Sequence, residues 1–154
     1  MMNPELLKRV QLFEGLSDPE LAEILMLGAV KEYPKDDVIF EDGSPGDCFY
    51  VIYDGSVRIS KMFDNVGEEA LTVLGAGDFL GEMSFFDSEP RSARAVAHED
   101  AKLLELSNQS LKDHLEQRPD VALKFLWSFA RTLSQRVRDT NRKFSSLFAI
   151  SRVF

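Results

Sequence analysis

Glu82 and Arg91 are the two side chains of this chain best suited to bind a small charged ligand. The Glu82 carboxylate can accept hydrogen bonds from sugar hydroxyls, and Arg91 offers a planar fork of donors that matches phosphate oxygens. The Ser92 hydroxyl and the backbone amides of Ser92 and Ala93 can complete a nest for an anion. The combination predicts a ligand that carries both a sugar diol and a phosphate.

The neighbouring residues determine how closely such a ligand can approach. Gly81 allows close approach of the backbone, and Pro90 fixes a corner before the arginine. Residues 82–86 predict a short helix whose N-terminal amides face the anion, and Met83 lies in this predicted site. Ala93 is small enough to leave the backbone accessible to a phosphate.

Glu82 and Arg91 also have simpler interpretations. Glu82 can be an ordinary surface carboxylate, and Arg91 can form a salt bridge with Glu89 or Asp87. A glycine-carboxylate pair and an arginine corner within one short segment favour the binding site over these alternatives.

The chain around this segment contains short runs rich in β-branched and large apolar residues, which predict β-strands. Turns rich in Gly, Asp and Pro separate the runs. Strands at this spacing predict a β-roll of the jelly-roll type, so the fold class is α+β but mainly β. The predicted strands span residues 38–40, 49–53, 57–62, 70–74, 93–97 and 103–106.

Two helices are predicted before the roll. Residues 4–13 predict one short helix. Ser17 and Glu20 predict a capping box at the start of a second helix, with Pro19 in its first turn. An apolar stripe at helical spacing extends this second helix to Gly28.

A longer helical region follows the roll. Ser107 predicts the N-cap of a helix that ends near residue 116, and Pro119 predicts the start of a long helix. A chain of 154 residues suffices for one domain. We divide it into residues 1–118, a helical cap with the β-roll, and residues 119–154, a long helix with an apolar tail.

Apolar residues of the long helix recur at alternating steps of three and four, as in a heptad seam. Such a stripe can pack on the chain's own roll or pair two copies of the chain. We predict a homodimer, and the apolar residues of 144–154 also predict docking to a partner or a second copy. The stripe consists of Leu126, Ala130, Leu133, Val137, Thr140, Phe144 and Leu147.

Three further segments, together with the segment from Gly81 to Ala93, resemble cyclic nucleotide-binding domains. Such domains occur in catabolite activator proteins and in the regulatory subunit of cAMP-dependent protein kinase. The resemblance covers roughly residues 12–141 and includes the order and approximate spacing of the glycines. The three segments are Gly46-Asp47-Cys48-Phe49-Tyr50-Val51-Ile52, Asp54-Gly55-Ser56-Val57 and Gly77-Asp78-Phe79-Leu80-Gly81-Glu82.

This resemblance implies a ligand and a role for each site residue. The implied ligand is cAMP, with cGMP permitted by the Ser92 hydroxyl, and no metal is implied. Arg91 and the amides of Ser92 and Ala93 are expected to hold the cyclic phosphate, and Glu82 the ribose 2′-hydroxyl. The long helix is expected to close over the base and to pair two subunits.

The resemblance also places the purine contacts on the long helix, near Arg136, Val137 and Thr140. A solvent-facing Arg136 is the alternative. Four residues are expected to form the apolar wall of the pocket, although they can equally be plain core: Val57, Ile59, Leu71 and Leu74.

The net charge of −8 is unevenly distributed. From Ala122 onward there are seven basic residues and one acidic residue, so this segment carries +6 and the rest of the chain −14. The overall acidity argues against non-specific nucleic-acid binding. The basic segment predicts a solvated helix face, while contact with an acidic partner, the acidic roll or a membrane surface stays open.

Several function classes find no support in the sequence. No apolar run is long enough to span a bilayer, and the N-terminus lacks the apolar stretch of a secretory signal. The single cysteine, Cys48, predicts a buried thiol in a reducing cytoplasm. His98 and His114 lie on separate elements, and no nucleophilic, Walker or metal-ligand pattern accompanies them, so we predict no enzymatic activity.

We therefore predict a stand-alone cytoplasmic sensor that signals to an unidentified downstream protein through its long helix. Relatives of the catabolite-activator type carry a helix-turn-helix after this helix. The chain ends before such a motif, so direct DNA binding is not expected. The alternatives are an interaction module with a vestigial pocket and the ligand-binding fragment of a longer transcription regulator.

Overall fold

The computed structural model describes residues 4–153, except the side chain of Leu6, and contains eight strands in two four-stranded antiparallel sheets. Helices pack on one side, so the prediction of a mainly-β α+β roll is confirmed. The strands are β1 Gly28–Tyr33, β2 Val38–Phe40, β3 Cys48–Asp54, β4 Ser56–Phe63, β5 Gly67–Gly75, β6 Phe79–Leu80, β7 Arg94–Ala97 and β8 Ala101–Ser107. The helices are α1 Pro4–Leu7, α2 Asp18–Leu25, α3 Glu82–Asp87, α4 Asn108–Gln117 and α5 Pro119–Val153.

The strand orders β1-β8-β3-β6 and β2-β7-β4-β5 bring distant parts of the chain together in each sheet. Side chains alternate between the two faces of every strand. In β3, Tyr50 and Ile52 join the core between the sheets, whereas Phe49 and Val51 join a second core beneath the helices. Strand β3 is therefore buried on both faces, and the helices pack on the outer one.

The capping box predicted for α2 is confirmed. The Ser17 hydroxyl accepts a bond from the Glu20 amide, and the Glu20 carboxylate accepts one from the Ser17 amide. Lys124 of α5 donates to the same carboxylate at 2.9 Å, and this bond holds the pKa of Glu20 below its usual value. The contact ties the N-terminal helices to α5. Ser107 caps α4, also as predicted.

The prediction of one helix over residues 4–13 is wrong. Helix α1 ends at Leu7, and a separate 3₁₀ turn covers Gln11–Phe13. The chain is extended at Val10, with ψ of 116°, because Val10 and the 3₁₀ turn insert apolar side chains into the core under the helices. Gly28 was predicted to be helical but begins β1. An added Cβ there would lie 2.5 Å from the Glu105 carbonyl oxygen, so the strands approach closely at this point.

Helix α5 begins at Pro119, as predicted, and runs for 35 residues. It packs on the rest of the chain through Val121, Phe125, Phe129 and Thr132 rather than through the predicted stripe. Of the stripe, only Leu133 contacts this core. The exposed fractions of the other large members are 46% for Leu126, 58% for Val137, 63% for Phe144 and 64% for Leu147. The alternative that the stripe packs on its own roll is thus wrong for most of its length, and pairing of two copies stays a prediction.

The apolar tail predicted after residue 144 is a continuation of α5 through Val153, and Phe154 lies outside the described residues. Among residues 4–153, no helix is both long enough and apolar enough to cross a membrane.

Candidate ligand-binding site

A cavity of about 680 Å³ lies between β5, α3, the segment after α3 and the middle of α5. All but one of the predicted site residues line it: Gly81, Glu82, Met83, Arg91, Ser92, Ala93, Leu71, Leu74 and Arg136. Ile59 and Thr140 line it as well, whereas Val137 does not.

Val57 is the exception. It is fully buried in the core between the two sheets, outside the cavity wall. Its cross-strand partner Leu74 and the next inward pair, Ile59 with Thr72, line the cavity, so on β4 the wall ends at Ile59. The alternative of plain core is therefore correct for Val57.

Arg91 is a buried cation at the base of the cavity, with 4% of its surface exposed. Its Nη2 donates to the Cys48 carbonyl oxygen at 2.7 Å, and its Nη1 lies 3.3 Å from the Gly81 carbonyl oxygen. Its Nε is buried and has no partner among the described residues. A buried charge without a counter-ion is costly, so an anion in the cavity would be strongly favoured.

The alternative salt bridge from Arg91 to Glu89 or Asp87 is wrong. Within residues 4–153, Arg91 forms no ion pair. The Asp87 carboxylate instead accepts the Glu89 amide at 2.9 Å, which closes the turn after α3. Both carboxylates are exposed, so they leave the positive charge of Arg91 to the cavity.

The turn around Arg91 is held by backbone contacts to the loop after β2. The Arg91 amide donates to the Ser44 carbonyl at 2.9 Å, and the Gly43 amide donates to the Arg91 carbonyl at 2.8 Å. The Ser84 hydroxyl donates to the Glu89 carbonyl at 2.8 Å and joins α3 to the same turn. These bonds fix the arginine corner relative to Glu82, the first residue of α3.

The predicted short helix over residues 82–86 is confirmed as α3, which begins at Glu82 directly after Gly81. Gly81 has a φ of 80°, a left-handed conformation that favours glycine. A Cβ at this position would lie 2.6 Å from the Arg91 Nη1 and 3.0 Å from the Cys48 carbonyl oxygen. The glycine therefore permits both the turn into α3 and the close approach of the guanidinium.

Arg136 joins α5 to the opposite wall of the cavity. Its Nη1 donates to the Glu82 Oε1 at 2.8 Å, and its Nη2 donates to the Phe79 carbonyl at 2.8 Å. Its guanidinium carbon lies 4.2 Å from the centre of the Phe79 ring. Arg136 thus lines the cavity with its guanidinium bonded to α3 and β6 and its side chain 30% exposed, and its contact with a purine stays a prediction.

Ser92 and Met83 lie at the mouth of the cavity, where both are exposed and the Ser92 hydroxyl lies 3.6 Å from the Met83 sulfur. The hydroxyl has no stronger contact to give up when a ligand enters. Ala93 is partly buried beside it and ends the segment before β7.

Sequence reasoning missed Phe40, Asp139 and Lys143, which also line the cavity. Asp139 and Lys143 follow Arg136 by three and seven residues, a spacing that puts them on one face of α5. Helical periodicity could therefore have found them. Phe40 comes from β2 and had no such signal, because only the sheet topology brings it next to Arg91.

Cys48 has its thiol 3.6 Å from a Glu105 carboxylate oxygen. Burial, with a smaller contribution from that carboxylate, raises the pKa of the thiol to about 11. The thiol is therefore protonated near neutral pH, although Cys48 is partly buried rather than fully buried as predicted. In residues 4–153 no cluster of three or more His, Cys, Asp or Glu side chains could hold a metal ion.

Residues 30–118 match the family model for the cyclic nucleotide-binding domain, a range that begins in β1 and includes the whole segment from Gly81 to Ala93. The chain belongs to the cyclic nucleotide-binding domain family. The resemblance noted in the sequence is thereby confirmed.

Relatives within this family include a CRP-like cAMP-activated global transcriptional regulator of Mycobacterium tuberculosis. It is 29% identical over 143 residues, which cover 93% of this chain and 62% of the relative. The chain thus spans less than two thirds of the length of that regulator.

Solved structures of the family show the same roll. The N-terminal domain of a transcriptional regulator from Streptomyces coelicolor A3(2) is 34% identical, with a TM-score of 0.74, over 90% of this chain and 94% of that domain. A cyclic nucleotide-binding domain from Methylobacillus flagellatus KT is 29% identical, with a TM-score of 0.80, over 90% of this chain and 78% of the other.

Proposed function

We propose that this chain is a regulatory module that binds cAMP, or cGMP, in the cavity beside α5. The buried guanidinium of Arg91, which has no counter-ion and an unpartnered Nε, carries this proposal. A cyclic phosphate supplies both the negative charge and the acceptor oxygens that this group lacks. The amides of Ser92 and Ala93 complete the phosphate contacts.

Glu82 is proposed to accept the ribose 2′-hydroxyl. In the structure its Oε1 already accepts a bond from Arg136. A carboxylate has acceptor sites for several donors, so it can serve the hydroxyl and the guanidinium together. Glu82 then connects the ligand directly to α5, and Asp139, Thr140 and Lys143 of α5 line the cavity in which the base is proposed to lie.

The output of the module is proposed to be a change in the position of α5. A ligand that contacts both α3 and α5 favours the helix arrangement in which its contacts are best, and so shifts the population toward it. The exposed apolar stripe of α5 supports a homodimer in which this change reaches the second copy or an unidentified downstream protein. The role is regulatory rather than enzymatic, and the free thiol of Cys48 suits a cytoplasmic setting.

Calorimetric titration with cAMP, cGMP and a cyclic dinucleotide tests this function. Saturable binding of one cyclic mononucleotide at one site per chain is expected. Binding of the dinucleotide alone would assign a different ligand. The absence of binding to all three would favour the interaction module with a vestigial pocket.

A second candidate is the ligand-binding part of a longer transcription regulator. The match to 62% of the M. tuberculosis regulator favours it. The binding chemistry is the same for both candidates. They differ only in which part of a protein a movement of α5 would displace.

Glu82→Gln is expected to reduce the preference for cAMP over 2′-deoxy-cAMP. A hydrogen bond to a charged group contributes about 1.5–3 kcal/mol, so the parent protein should prefer cAMP by roughly 10- to 150-fold. The neutral amide should narrow this ratio, as measured by competition between the two nucleotides. Glu89→Gln is the control, because Glu89 is exposed in the same turn and outside the cavity wall. Equal affinities of the parent protein for both nucleotides would remove this role from Glu82.

Gly81→Ala is expected to lower both stability and affinity. The left-handed conformation costs a non-glycine residue roughly 1–2 kcal/mol, and the added Cβ would also displace the Arg91 guanidinium. We expect the Kd for cAMP to rise by about tenfold or more. Gly15→Ala is the control, because φ at Gly15 is +87° and an added Cβ meets no atom within 4 Å. Its Tm should fall by a similar amount while its Kd for cAMP stays unchanged. Equal Kd changes in the two variants would contradict the steric argument.

A further inference from the structure

Two aromatic rings enclose the guanidinium of Arg91 at the base of the cavity. The Arg91 guanidinium carbon lies 4.3 Å from the centre of the Phe40 ring and 5.7 Å from the centre of the Tyr50 ring. The two rings contact each other with centroids 6.0 Å apart. The two rings come from different sheets, since Phe40 is in β2 and Tyr50 in β3.

The guanidinium is held in its plane at two points only. Of its five N–H groups, one on Nη2 and one on Nη1 donate to backbone carbonyls, and the Nε is unpartnered. With no hydrogen bond at Nε, these two contacts leave the group some freedom to tilt about the line through its Nη atoms. A ring 4.3 Å from the guanidinium carbon removes this freedom, because tilting the group would break the contact of the cation with the ring.

We propose that Phe40 is a positioning residue for anion binding, which orients the unpartnered donors of Arg91 toward the cyclic phosphate. The inference rests on the proposed function, because it concerns the same site. Phe40 acts through Arg91 in two ways. It sets the plane of the donor fork, and the face of its ring attracts the cation, which offsets part of the cost of burying the charge without a counter-ion.

Phe40 rather than Tyr50 determines this orientation. Phe40 is nearer to the guanidinium and lines the cavity, while Tyr50 is buried in the core between the sheets and lies behind it. Burial raises the pKa of Tyr50, so its ring stays neutral and adds no counter-charge. Phe40 is also paired with Ala95 of β7, the strand that follows the phosphate-binding segment. Its backbone is therefore fixed relative to the same segment.

The test compares ring-less and ring-retaining variants of Phe40 in the full chain. Phe40→Leu and Phe40→Met keep apolar bulk without a ring, and Phe40→Tyr keeps the ring. A cation–ring contact of this kind predicts a Kd for cAMP that is roughly 3- to 30-fold higher in the ring-less variants and near the parent value in Phe40→Tyr. Phe63→Leu is the control, since Phe63 is exposed at the end of β4 and outside the cavity wall.

A spectroscopic measurement distinguishes orientation from general destabilisation. The ring current of Phe40 should displace the Arg91 Nε–H resonance in the ligand-free protein. This displacement should be lost in the ring-less variants and kept in Phe40→Tyr and Phe63→Leu. The comparison is made well below the Tm of each variant. If Phe40→Leu does not fold, Phe40→Met gives the same readout with a more adaptable side chain.

The outcomes separate this inference from the function on which it rests. If the parent protein binds cAMP and the ring-less variants bind it equally well, Phe40 has no positioning role and the proposed function stands. If affinity falls while the Nε–H resonance is unchanged, Phe40 contributes to packing and not to orientation, and the inference is overturned. If the parent protein binds no cyclic nucleotide, both are overturned.

Discussion

Replacing Arg91 by alanine is expected to weaken cAMP binding by roughly 30- to 1,000-fold, the largest effect of any single change in the cavity. The variant removes a buried cation that has no counter-ion among residues 4–153, and with it the donors that are proposed to bind the phosphate. Arg91→Lys should also weaken binding, because an ammonium group cannot reproduce the planar fork. Calorimetric titration measures both.

Arg138→Ala is the matched control for Arg91→Ala. It removes the same charge from an exposed position of α5 that does not line the cavity. Its Kd for cAMP should stay within about twofold of the parent value. The Tm of each variant is measured alongside, since the Arg91 side chain also packs against the Phe40 and Tyr50 rings. If folded Arg91→Ala binds cAMP as tightly as the parent protein, the assigned phosphate site is wrong.

The second large effect is expected at the apolar stripe of α5. Leu133→Glu would test the stripe but would also disturb the core under the helices, because Leu133 packs partly against that core. Val137→Glu tests the stripe without disturbing this core, since Val137 is 58% exposed and does not line the cavity. An unpaired carboxylate buried between two helices costs several kcal/mol, so this variant should be monomeric where the parent protein is dimeric. Light scattering coupled to size exclusion measures the mass.

Ala149→Glu controls for the added charge. Ala149 is exposed on the same helix, nearly half a turn around the helix axis from the stripe residues Phe144 and Leu147. This variant should remain dimeric, and both variants should still bind cAMP. A parent protein that is monomeric at high micromolar concentration, with and without cAMP, would refute the dimer and leave the stripe without a partner.

The sequence predicts most of the roll because its strands are bounded by turns of recognisable chemistry. The failures have physical reasons. Strand β1 carries Lys31 and Glu32 in its middle, so its composition is not that of a strand, and only its six-residue pairing with β8 stabilises it. Strand β6 has two residues and is too short for any periodicity. Such segments acquire their conformation from a partner that is distant in the sequence.

The dependence on partners distant in the sequence also explains which parts of the site could be predicted. Gly81, Glu82 and Arg91 were predictable because the chemistry is contained in one short segment. The contact of Glu82 with Arg136 joins residues 54 positions apart, and that of Phe40 with Arg91 joins strand β2 to the turn before β7. Residue types can suggest these side chains as candidates for a site, but which of them contact each other depends on the three-dimensional fold.

Helix α5 projects well past its contact with Glu82. From Arg136 to Val153 it rises a further 26 Å or so, at about 1.5 Å per residue, with no buried residue after Thr132. A tilt of α5 by about 10° at the contact between Arg136 and Glu82 would move its C-terminal end by roughly 4–5 Å, nearly the pitch of one helical turn. A ligand that tilted α5 at this contact would therefore change which residues meet at the far end of the helix.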